Sequence, residues 1–220
     1  MDSIVIIGAS GHAKVIADIV RLEGKYHIEG LIDAKLAPGS DAFGYQVLGH
    51  DEHLPELVVK RSIRGAIVAV GHNFRRSQIH LRVSELCPGL TFVNAIHPAA
   101  HLAKHASVGG GTAIMAGAVV NACCSIGRSC ILNTNSSLDH DCRMENFSSL
   151  APGVSVGGNC QIGQLVAVCI GATVVHKVSI GRHSVIGAGA TVLRDIPPRT
   201  VAYGTPAKLI RARKPEDEYL

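Results

Sequence analysis

Hydrophobic side chains recur with a period of six along the second half of the chain. Every sixth position from Ile96 to Val192 holds Ile, Leu, Val or Met, without a break in register. A second series, four residues further along each hexad, runs from Ala100 to Ala190 and holds small residues or valine. This period is typical of a parallel β-helix of hexapeptide repeats, in which three hexads, about 18 residues, close one triangular coil. The repeat therefore predicts a β-helix in which residues one coil apart stack on the same face.

The first part of the chain follows the periods of ordinary strands and helices. Apolar runs predict buried strands over residues 3–8, 27–33 and 65–71. Helical patterns follow them after residue 12, over 51–60 and over 73–86. Strands that alternate with helices predict a parallel sheet with right-handed crossovers. We therefore expect a small Rossmann-like α/β domain before the repeat.

The change of period near residue 95 divides the chain. The pattern predicts the α/β domain over residues 1–94 and the β-helix over residues 95–196. A β-helix needs a cap over its open end. Two consecutive prolines end the repeat, so residues 197–220 are the candidate for a C-terminal cap or tail.

Composition and charge narrow the class of protein. The chain has 220 residues, 47% hydrophobic residues and no Trp, which suits an interior filled by branched aliphatic side chains. A formal net charge of +4 without a long basic run argues against nucleic-acid binding and is compatible with small anions such as nucleotides or coenzyme A. The apolar run Ile4 to Ile7 is too short for a signal peptide or a membrane span, so we expect a cytoplasmic protein. Four of the seven cysteines fall on the small-residue series and are expected to be buried and reduced: Cys124, Cys130, Cys142 and Cys160.

A loop rich in small residues joins the first strand to the first helix. Residues 8–12 read Gly-Ala-Ser-Gly-His, which can present backbone N–H groups and a helix N-terminus to phosphate. Asp33, at the end of the second strand, can accept a hydrogen bond from a ribose or base. Ser10 and Ala13 interrupt the full dinucleotide fingerprint, so we expect a nucleotide diphosphate rather than NAD. A glycine turn that serves only packing is the alternative.

One segment of the repeat carries candidate catalytic chemistry. His140 is flanked by Asp139 and Asp141, which can orient the imidazole and raise its pKa, as a general base requires. The repeat places Gly158 one coil above His140, where its backbone N–H can meet an acyl oxygen. A base beside a donor suits acyl transfer. The alternative is a solvated histidine without a role.

Other histidines leave a metal centre as a rival hypothesis. His176 lies two coils from His140 on one column, which is compatible with a γ-carbonic-anhydrase-like prism or with a non-catalytic scaffold. Zinc at such a site needs three converging imidazoles, and no third one is evident. His97, His101 and His105 have four-residue spacing, which aligns side chains on a helix and not on a six-residue repeat. We therefore expect no metal.

Several motifs together resemble the NeuD/PglD-type sugar O/N-acetyltransferases over almost the whole chain. They are Gly-Ala-Ser-Gly-His at 8–12, Asn-Thr at 133–134, Asp-His-Asp-Cys at 139–142, Ala-Pro-Gly at 151–153 and Gly-x-Pro-Ala-Lys at 204–208. The resemblance implies a left-handed β-helix, a homotrimer and active sites between neighbouring subunits. It also implies acetyl-CoA as the acetyl donor. The implied acceptor is a UDP- or GDP-linked 4-amino-4,6-dideoxy sugar of glycan or polysaccharide biosynthesis.

The resemblance also assigns roles to residues. His140 looks like the base that accepts the proton of the sugar amine, Asp141 like its acidic partner, and Asn133 like a contact to the acceptor. The positions that resemble the nucleotide-sugar site are Ser10, Gly11, His12, Asp33, Ala34 and Gly71. The positions that resemble the coenzyme site are Ser149, Gly158, Ile170 and Ala188.

Three positions depart from the family pattern. Ser149 stands where many members have a His near the thioester, and Glu145 stands where many have Gly. Ala34 stands where a second acid is common, so recognition of uracil or guanine stays open. The favoured hypothesis is N-acetylation of the amine, in which the Gly158 N–H stabilises the oxyanion. O-acetylation of a sugar hydroxyl, for example on sialic acid, is the alternative.

Overall fold

A computed structural model of the protein describes residues 1–214 and residue 217. The chain divides into two compact units. The first contains residues 1–98 and 110–112, and the second contains residues 99–109 and the described residues from 113 onward.

The first unit is an α/β domain around one sheet. The elements are β1 Asp2–Ile7, α1 Gly11–Glu23, β2 Tyr26–Ile32, β3 Asp41–Ala42, β4 Tyr45–Gly49, a 3-10 turn Asp51–His53, α2 Leu54–Lys60, β5 Ile63–Val68, α3 Asn73–Leu86, β6 Thr91–Phe92 and β7 Ala95–Ile96. The strands lie in the order β3-β4-β2-β1-β5-β6, and all except β3 run parallel to their neighbours. The small α/β domain with a parallel sheet is thus confirmed.

Burial explains why β1 lies at the centre of this sheet. Its residues Ile4 to Ile7 are buried on both faces, as expected for a parallel strand covered by helices. Helix α1 buries a stripe at helical spacing that includes Ile16, Ile19 and Val20, which packs it against the sheet.

The β3–β4 hairpin is an element that the sequence pattern did not predict. Its turn consists of Phe43 and Gly44, both at positive φ (44° and 84°), as in the tight turns that suit the twist of a hairpin. The first strand has only two residues, so no period could reveal it. The hairpin extends the sheet beyond β2.

The second unit is built from two-residue strands. They are β8 His101–Leu102, β9 Ser107–Val108, β10 Ala113–Ile114, β11 Val119–Val120, β12 Ser125–Ile126, β13 Ile131–Leu132, β14 Ser137–Leu138, β15 Arg143–Met144, β16 Ser149–Leu150, β17 Ser155–Val156, β18 Gln161–Ile162, β19 Ala167–Val168, β20 Thr173–Val174, β21 Ser179–Ile180, β22 Val185–Ile186 and β23 Thr191–Val192. Two longer strands follow, β24 Thr200–Tyr203 and β25 Lys208–Ala212.

These strands form three faces, and the strands within each face run parallel to one another. Face 1 contains β10, β13, β16, β19 and β22, face 2 contains β8, β11, β14, β17, β20 and β23, and face 3 contains β9, β12, β15, β18 and β21. Along each face, successive two-residue strands pair with a spacing of 18 residues, as Leu138 pairs with Val156. The aliphatic residue of each central hexad points inward and is buried. The predicted left-handed parallel β-helix of hexapeptide repeats is confirmed.

The chain turns between faces at three edges of the prism. Edge 1 joins face 1 to face 2, edge 2 joins face 2 to face 3, and edge 3 joins face 3 to face 1. At edge 2, Asp141, Asn159 and Lys177 occupy the same place in successive coils and have positive φ of 59°, 61° and 64°. A single left-handed residue thus turns the chain from face 2 to face 3 at this edge in these coils.

Three of the buried cysteines stack inside edge 2. The Sγ atoms of Cys124, Cys142 and Cys160 lie 2.9, 3.2 and 3.2 Å from the carbonyl oxygens of Asp139, Gly157 and Val175, respectively. Cys130 is also buried, and none of these four cysteines forms a disulfide among the described residues. The cysteines of the small-residue series therefore fill corners, as expected.

The chain beyond the coils adds two strands to face 1. Strand β24 pairs in parallel with β22, and β25 turns back antiparallel to β24. The predicted cap or tail over residues 197–220 falls partly outside the described residues, because 215, 216 and 218–220 are not described. Within the described part of the chain, no helix has the length and apolar character to span a membrane.

Candidate active site

Edge 2 holds the predicted catalytic residues. His140 and Asp141 lie in the turn that follows β14, and Gly158 lies in the turn one coil above, which follows β17. The β14–β17 pairing, Leu138 with Val156, fixes this stacking. The side chains of His140 and Asp141 are 54% and 52% exposed, so the imidazole is accessible to a substrate.

The contact between His140 and Asp141 fixes the tautomer of the neutral imidazole. Nδ1 of His140 lies 2.8 Å from Oδ2 of Asp141. A carboxylate only accepts hydrogen bonds, so Nδ1 carries the proton and donates it, which leaves the lone pair on Nε2. The hydrogen bond to Asp141, followed by the charge of Asp139, raises the pKa of His140. Such a histidine can act as a base through Nε2.

Gly158 lies directly against this nitrogen. A Cβ atom at position 158 would lie 2.6 Å from Nε2 of His140, so only glycine leaves room for the ring. The Gly158 N–H donates no hydrogen bond to any residue that the structure describes, whereas its carbonyl oxygen accepts from Lys177 at 2.9 Å. A proton acceptor and an unused backbone donor therefore lie together, as acyl transfer requires.

A further pair of side chains supports the turn that carries His140. Asn121, one coil below, donates from Nδ2 to Oδ1 of Asp139 at 2.8 Å. The same oxygen accepts the backbone N–H of His140, also at 2.8 Å. Asn121 was not predicted as a site residue from the sequence. The signal was present, since Asn121 precedes Asp139 by one coil.

The remaining β-helix positions of the predicted site lie elsewhere on the prism. Asn133, Ile170 and Ala188 belong to edge 1, and Ser149 lies on face 1. Ile170 is 58% exposed, and Oδ1 of Asn133 accepts the N–H of Thr134 at 2.8 Å. Within one chain, these residues are therefore not brought together with His140.

The loop after β1 is shaped by a close backbone approach. Gly8 has φ of +112°, and a Cβ there would lie 3.0 Å from the carbonyl oxygen of Ala69, so glycine is required. Ser10 is the N-cap of α1, but its side chain makes no capping hydrogen bond. Gly11 is exposed, and the space around its Cα is open. The N-terminus of α1 thus presents unused donors to solvent.

His12 is enclosed rather than turned toward solvent. Its Nε2 is fully buried and has no hydrogen-bond partner among the described residues. Burial, followed by the nearby charge of Arg76, lowers the pKa of His12 to about 4. The ring is therefore neutral near pH 7, and the backbone N–H of His12, not Nε2, belongs to the exposed helix start. The enclosed Nε2 is therefore not available to a phosphate at the helix start.

Arg76 organises the loop after β5. Its side chain is buried, and Nη1 donates to the carbonyl oxygens of Val70 at 3.0 Å and Gly71 at 2.9 Å. Nη2 donates to Oδ1 of Asn73 at 2.7 Å. Arg76 was not predicted from the sequence, because nothing in its helical pattern marks a buried arginine.

Asp33 and Ala34 follow the end of β2. Oδ1 of Asp33 accepts the N–H groups of Lys35 and Leu36 at 2.9 and 3.2 Å, which holds the turn. The carbonyl oxygen of Asp33 lies 2.7 Å from Nδ1 of His50 at the end of β4. Because β2, β1 and β5 are parallel neighbours, their carboxyl ends bring the six predicted nucleotide-sugar positions to one edge of the sheet.

The described residues, 1–214 and 217, contain no group of three or more His, Cys, Asp or Glu side chains arranged to hold a metal ion. The metal hypothesis was based on the column that contains His140 and His176. Between them lies Gly158, which supplies no side-chain ligand.

Comparisons with known proteins agree with this arrangement. The family model described as the PglD N-terminal domain matches residues 3–83. A solved structure of a variant GDP-perosamine N-acetyltransferase from Caulobacter crescentus, in complex with CoA and GDP-perosamine, is 34% identical with a TM-score of 0.90, and the match covers 96% of this chain and 98% of that one. The acetyltransferase domain of PglB from Neisseria gonorrhoeae FA1090, in complex with acetyl coenzyme A, is 32% identical with a TM-score of 0.86, covering 94% and 98%.

A curated relative matches over a shorter stretch. The UDP-N-acetylbacillosamine N-acetyltransferase of Bacillus subtilis (strain 168) is 33% identical over 121 residues. The match covers 53% of this chain and spans about half, 52%, of that relative's length.

Proposed function

Because the chain belongs to the family of NeuD/PglD-type sugar acetyltransferases, we propose that it transfers an acetyl group from acetyl-CoA to the 4-amino group of a nucleotide-linked 4-amino-4,6-dideoxy sugar. One observation carries the proposal. Nδ1 of His140 is hydrogen-bonded to Asp141, so Nε2 is left as a base beside Gly158, whose backbone N–H makes no hydrogen bond to the described residues. The relatives named for GDP-perosamine and UDP-N-acetylbacillosamine support a UDP- or GDP-linked acceptor.

The proposed reaction is a direct attack of the amine on the thioester. The amine nitrogen forms a bond to the acetyl carbonyl carbon while Nε2 of His140 takes a proton from it. The Gly158 N–H donates to the oxyanion of the tetrahedral intermediate. The carbon–sulfur bond then breaks, and the CoA sulfur leaves with the proton from His140. Asp141 stabilises the imidazolium between these steps, and general-base catalysis of this kind contributes about 10²–10⁴-fold.

The first unit is proposed to hold the nucleotide part of the acceptor. Ser10, Gly11 and His12 would offer the helix N-terminus to the diphosphate, which needs no side-chain cation. Asp33 and Ala34 would lie beside the ribose or base. Gly71, in the loop between β5 and α3, leaves open space around its Cα. The neutral, enclosed imidazole of His12 would support the loop from within.

The separation of the two prism edges supports a homotrimer. The base lies on edge 2, whereas Asn133, Ile170 and Ala188 lie on edge 1 of the same chain. A site that uses both sets needs edge 2 of one copy beside edge 1 of a neighbour. We therefore propose active sites between the subunits of a homotrimer. The cysteines, none of which forms a disulfide in the described part of the chain, also suit the reducing cytoplasm.

Thiol release from acetyl-CoA tests this function. The purified protein is assayed with a panel of UDP-, GDP- and dTDP-linked 4-amino sugars, and we expect release with one nucleotide class. The matched control is the His140→Ala protein, which keeps its oligomeric state and ligand binding but loses turnover. Release with sialic acid-type hydroxyl acceptors and with none of the amino sugars would replace the N-acetyl function by O-acetylation.

A further inference from the structure

Two polar side chains on consecutive coils meet below the imidazole of His140. Asn121 and Asp139 each follow the buried aliphatic residue of their hexad, one coil apart, and both are half-buried. Oδ1 of Asp139 accepts both from Nδ2 of Asn121 and from the backbone N–H of His140, each at 2.8 Å. One carboxylate oxygen thus links the coil below to the peptide that carries the base.

The backbones on both sides of this contact are held by the coil ladder. The N–H of Asn121 donates to Leu138 at 2.9 Å, and the N–H of Asp139 donates to Val156 at 3.0 Å. The N–H of His140 has no such partner in the ladder, because its residue lies at the corner. Asp139 therefore supplies the hydrogen bond that the corner lacks.

The two acids beside His140 act on different parts of the residue. Asp141 binds the ring at Nδ1, whereas Asp139 binds the backbone. The bonds from His140 and then from Asn121 lower the pKa of Asp139, so its carboxylate stays charged. That charge is the second cause of the raised pKa of His140, after the Asp141 hydrogen bond, and Cys124 makes a smaller contribution.

We propose that Asn121 and Asp139 form a positioning pair for the general base. Asn121 holds the Asp139 carboxylate in the orientation that accepts the His140 N–H, and this fixes the backbone from which the imidazole reaches Gly158. The role rests on the proposed function of His140. Neither residue is expected to touch the substrate.

The test uses variants that change charge in opposite directions. Asp139→Asn keeps an acceptor for both hydrogen bonds but removes the charge, so the pKa of His140 should fall. Asn121→Asp adds a negative charge and removes the donor, so the pKa of His140 should rise. Asp195→Asn is the control, because Asp195 also accepts a backbone N–H, from Ser179 at 2.8 Å, three coils away. It should leave His140 unchanged.

The pKa is read by NMR titration of histidine-labelled full-length protein without substrate, with the His140 signal assigned by its loss in His140→Ala. This measurement does not depend on finding the acceptor, so a failure of the proposed reaction is distinguishable from a failure of the pair. An unmoved His140 titration in both Asp139→Asn and Asn121→Asp would overturn the proposal.

Turnover supplies the second readout once an acceptor is known. Asp139→Ala removes the acceptor of the His140 N–H, and we expect kcat to fall about tenfold with KM nearly unchanged, since misplaced catalytic groups act mainly on the chemical step. Asp139→Asn should recover most of that loss at a pH above the His140 pKa. Wild-type kcat in a folded Asp139→Ala protein, or equal losses in the two variants, would contradict a positioning role.

Discussion

Two histidines of this chain lie in opposite surroundings. His140 stands at an exposed corner of the β-helix, where a carboxylate hydrogen bond raises its pKa. His12 stands at the first turn of α1, where burial and a neighbouring guanidinium lower its pKa to about 4. The exposed ring has a free Nε2 and a bonded Nδ1, whereas the other ring has an enclosed Nε2 without a partner. Contact partners and burial, not residue type, therefore decide which histidine can exchange protons near pH 7.

The largest effect is expected from removing the exposed ring. His140→Ala should lower kcat about 10²–10⁴-fold, because the described side-chain atoms nearest to Gly158 all belong to the His140 ring, which accepts the amine proton. Binding of the nucleotide sugar and the oligomeric state should persist. His176→Ala, on the same column two coils above, is the control and should retain turnover. Equal losses in both variants would break the distinction between His140 and an ordinary edge histidine.

The enclosed ring should instead control stability at acid pH. The folded-state pKa of His12 is about 4 and its ordinary value is 6.5, so between these values the unfolded chain binds a proton that the folded chain does not. Stability should therefore fall as pH decreases through this window, by up to about 3 kcal/mol. His12→Gln, which cannot titrate, should lose less stability between pH 7.5 and 4.5 in urea unfolding.

The control for this stability measurement is His27→Gln, since the His27 side chain is 64% exposed. It should show the wild-type dependence of the urea midpoint on pH. If His12→Gln and wild type lose the same stability at acid pH, burial does not set the protonation of His12.

A methyl group beside the exposed ring should displace it. Gly158→Ala places a Cβ at 2.6 Å from Nε2 of His140, so the ring must move away from the productive position. We expect kcat to fall about 10²-fold, as misplacement by about 1 Å can cause. Ser155→Ala, an exposed position on the same coil, is the control. Near-normal turnover in Gly158→Ala would show that the close stacking has no catalytic importance.

A smaller change is expected when the Asp141 charge is removed. Asp141→Asn keeps an acceptor for Nδ1 but lowers the pKa of His140, because the carboxylate no longer stabilises the imidazolium. The rate of a reaction that needs neutral His140 rises with pH through that pKa, so the acid limb of kcat should move to lower pH. A weaker base should also lower the plateau, by about tenfold. An unshifted acid limb would assign the titration to another group.

The β-helix and the α/β unit also differ in how many of their contacts could be predicted from the sequence. In the β-helix, translation by one coil repeats the same backbone, so spacing alone predicted that Gly158 stacks on His140. The same rule reached Asn121 and Asp139, although their contact was not recognised. In the α/β unit, the alternation of strands and helices was enough to predict that the 8–12 loop follows the first strand and that Asp33 ends the second. The low pKa of His12 was not predictable, because it depends on burial in the folded structure and on the charge of Arg76 in α3, far away in sequence.

Glu145, which stands where many family members have Gly, shows how far the repeat can predict contacts within the coils. Its Oε2 accepts the backbone N–H of Gln164, one coil above, at 3.0 Å. The hexad register predicts that the two turns are neighbours, but which side-chain oxygen bonds which backbone group depends on rotamers. The side chain therefore stabilises a corner of edge 3, whose residues are separate from the edge that holds His140.

The most direct test of the account is the linkage of the transferred acetyl group. Wild-type protein is incubated with acetyl-CoA carrying a labelled carbonyl carbon and with a UDP- or GDP-linked 4-amino sugar, and the product is examined by NMR. We predict a carbonyl signal of an amide at the 4-amino nitrogen, present with wild-type protein and absent with His140→Ala. An ester at a sugar hydroxyl, or the same amide formed at the same rate without His140, would contradict the account.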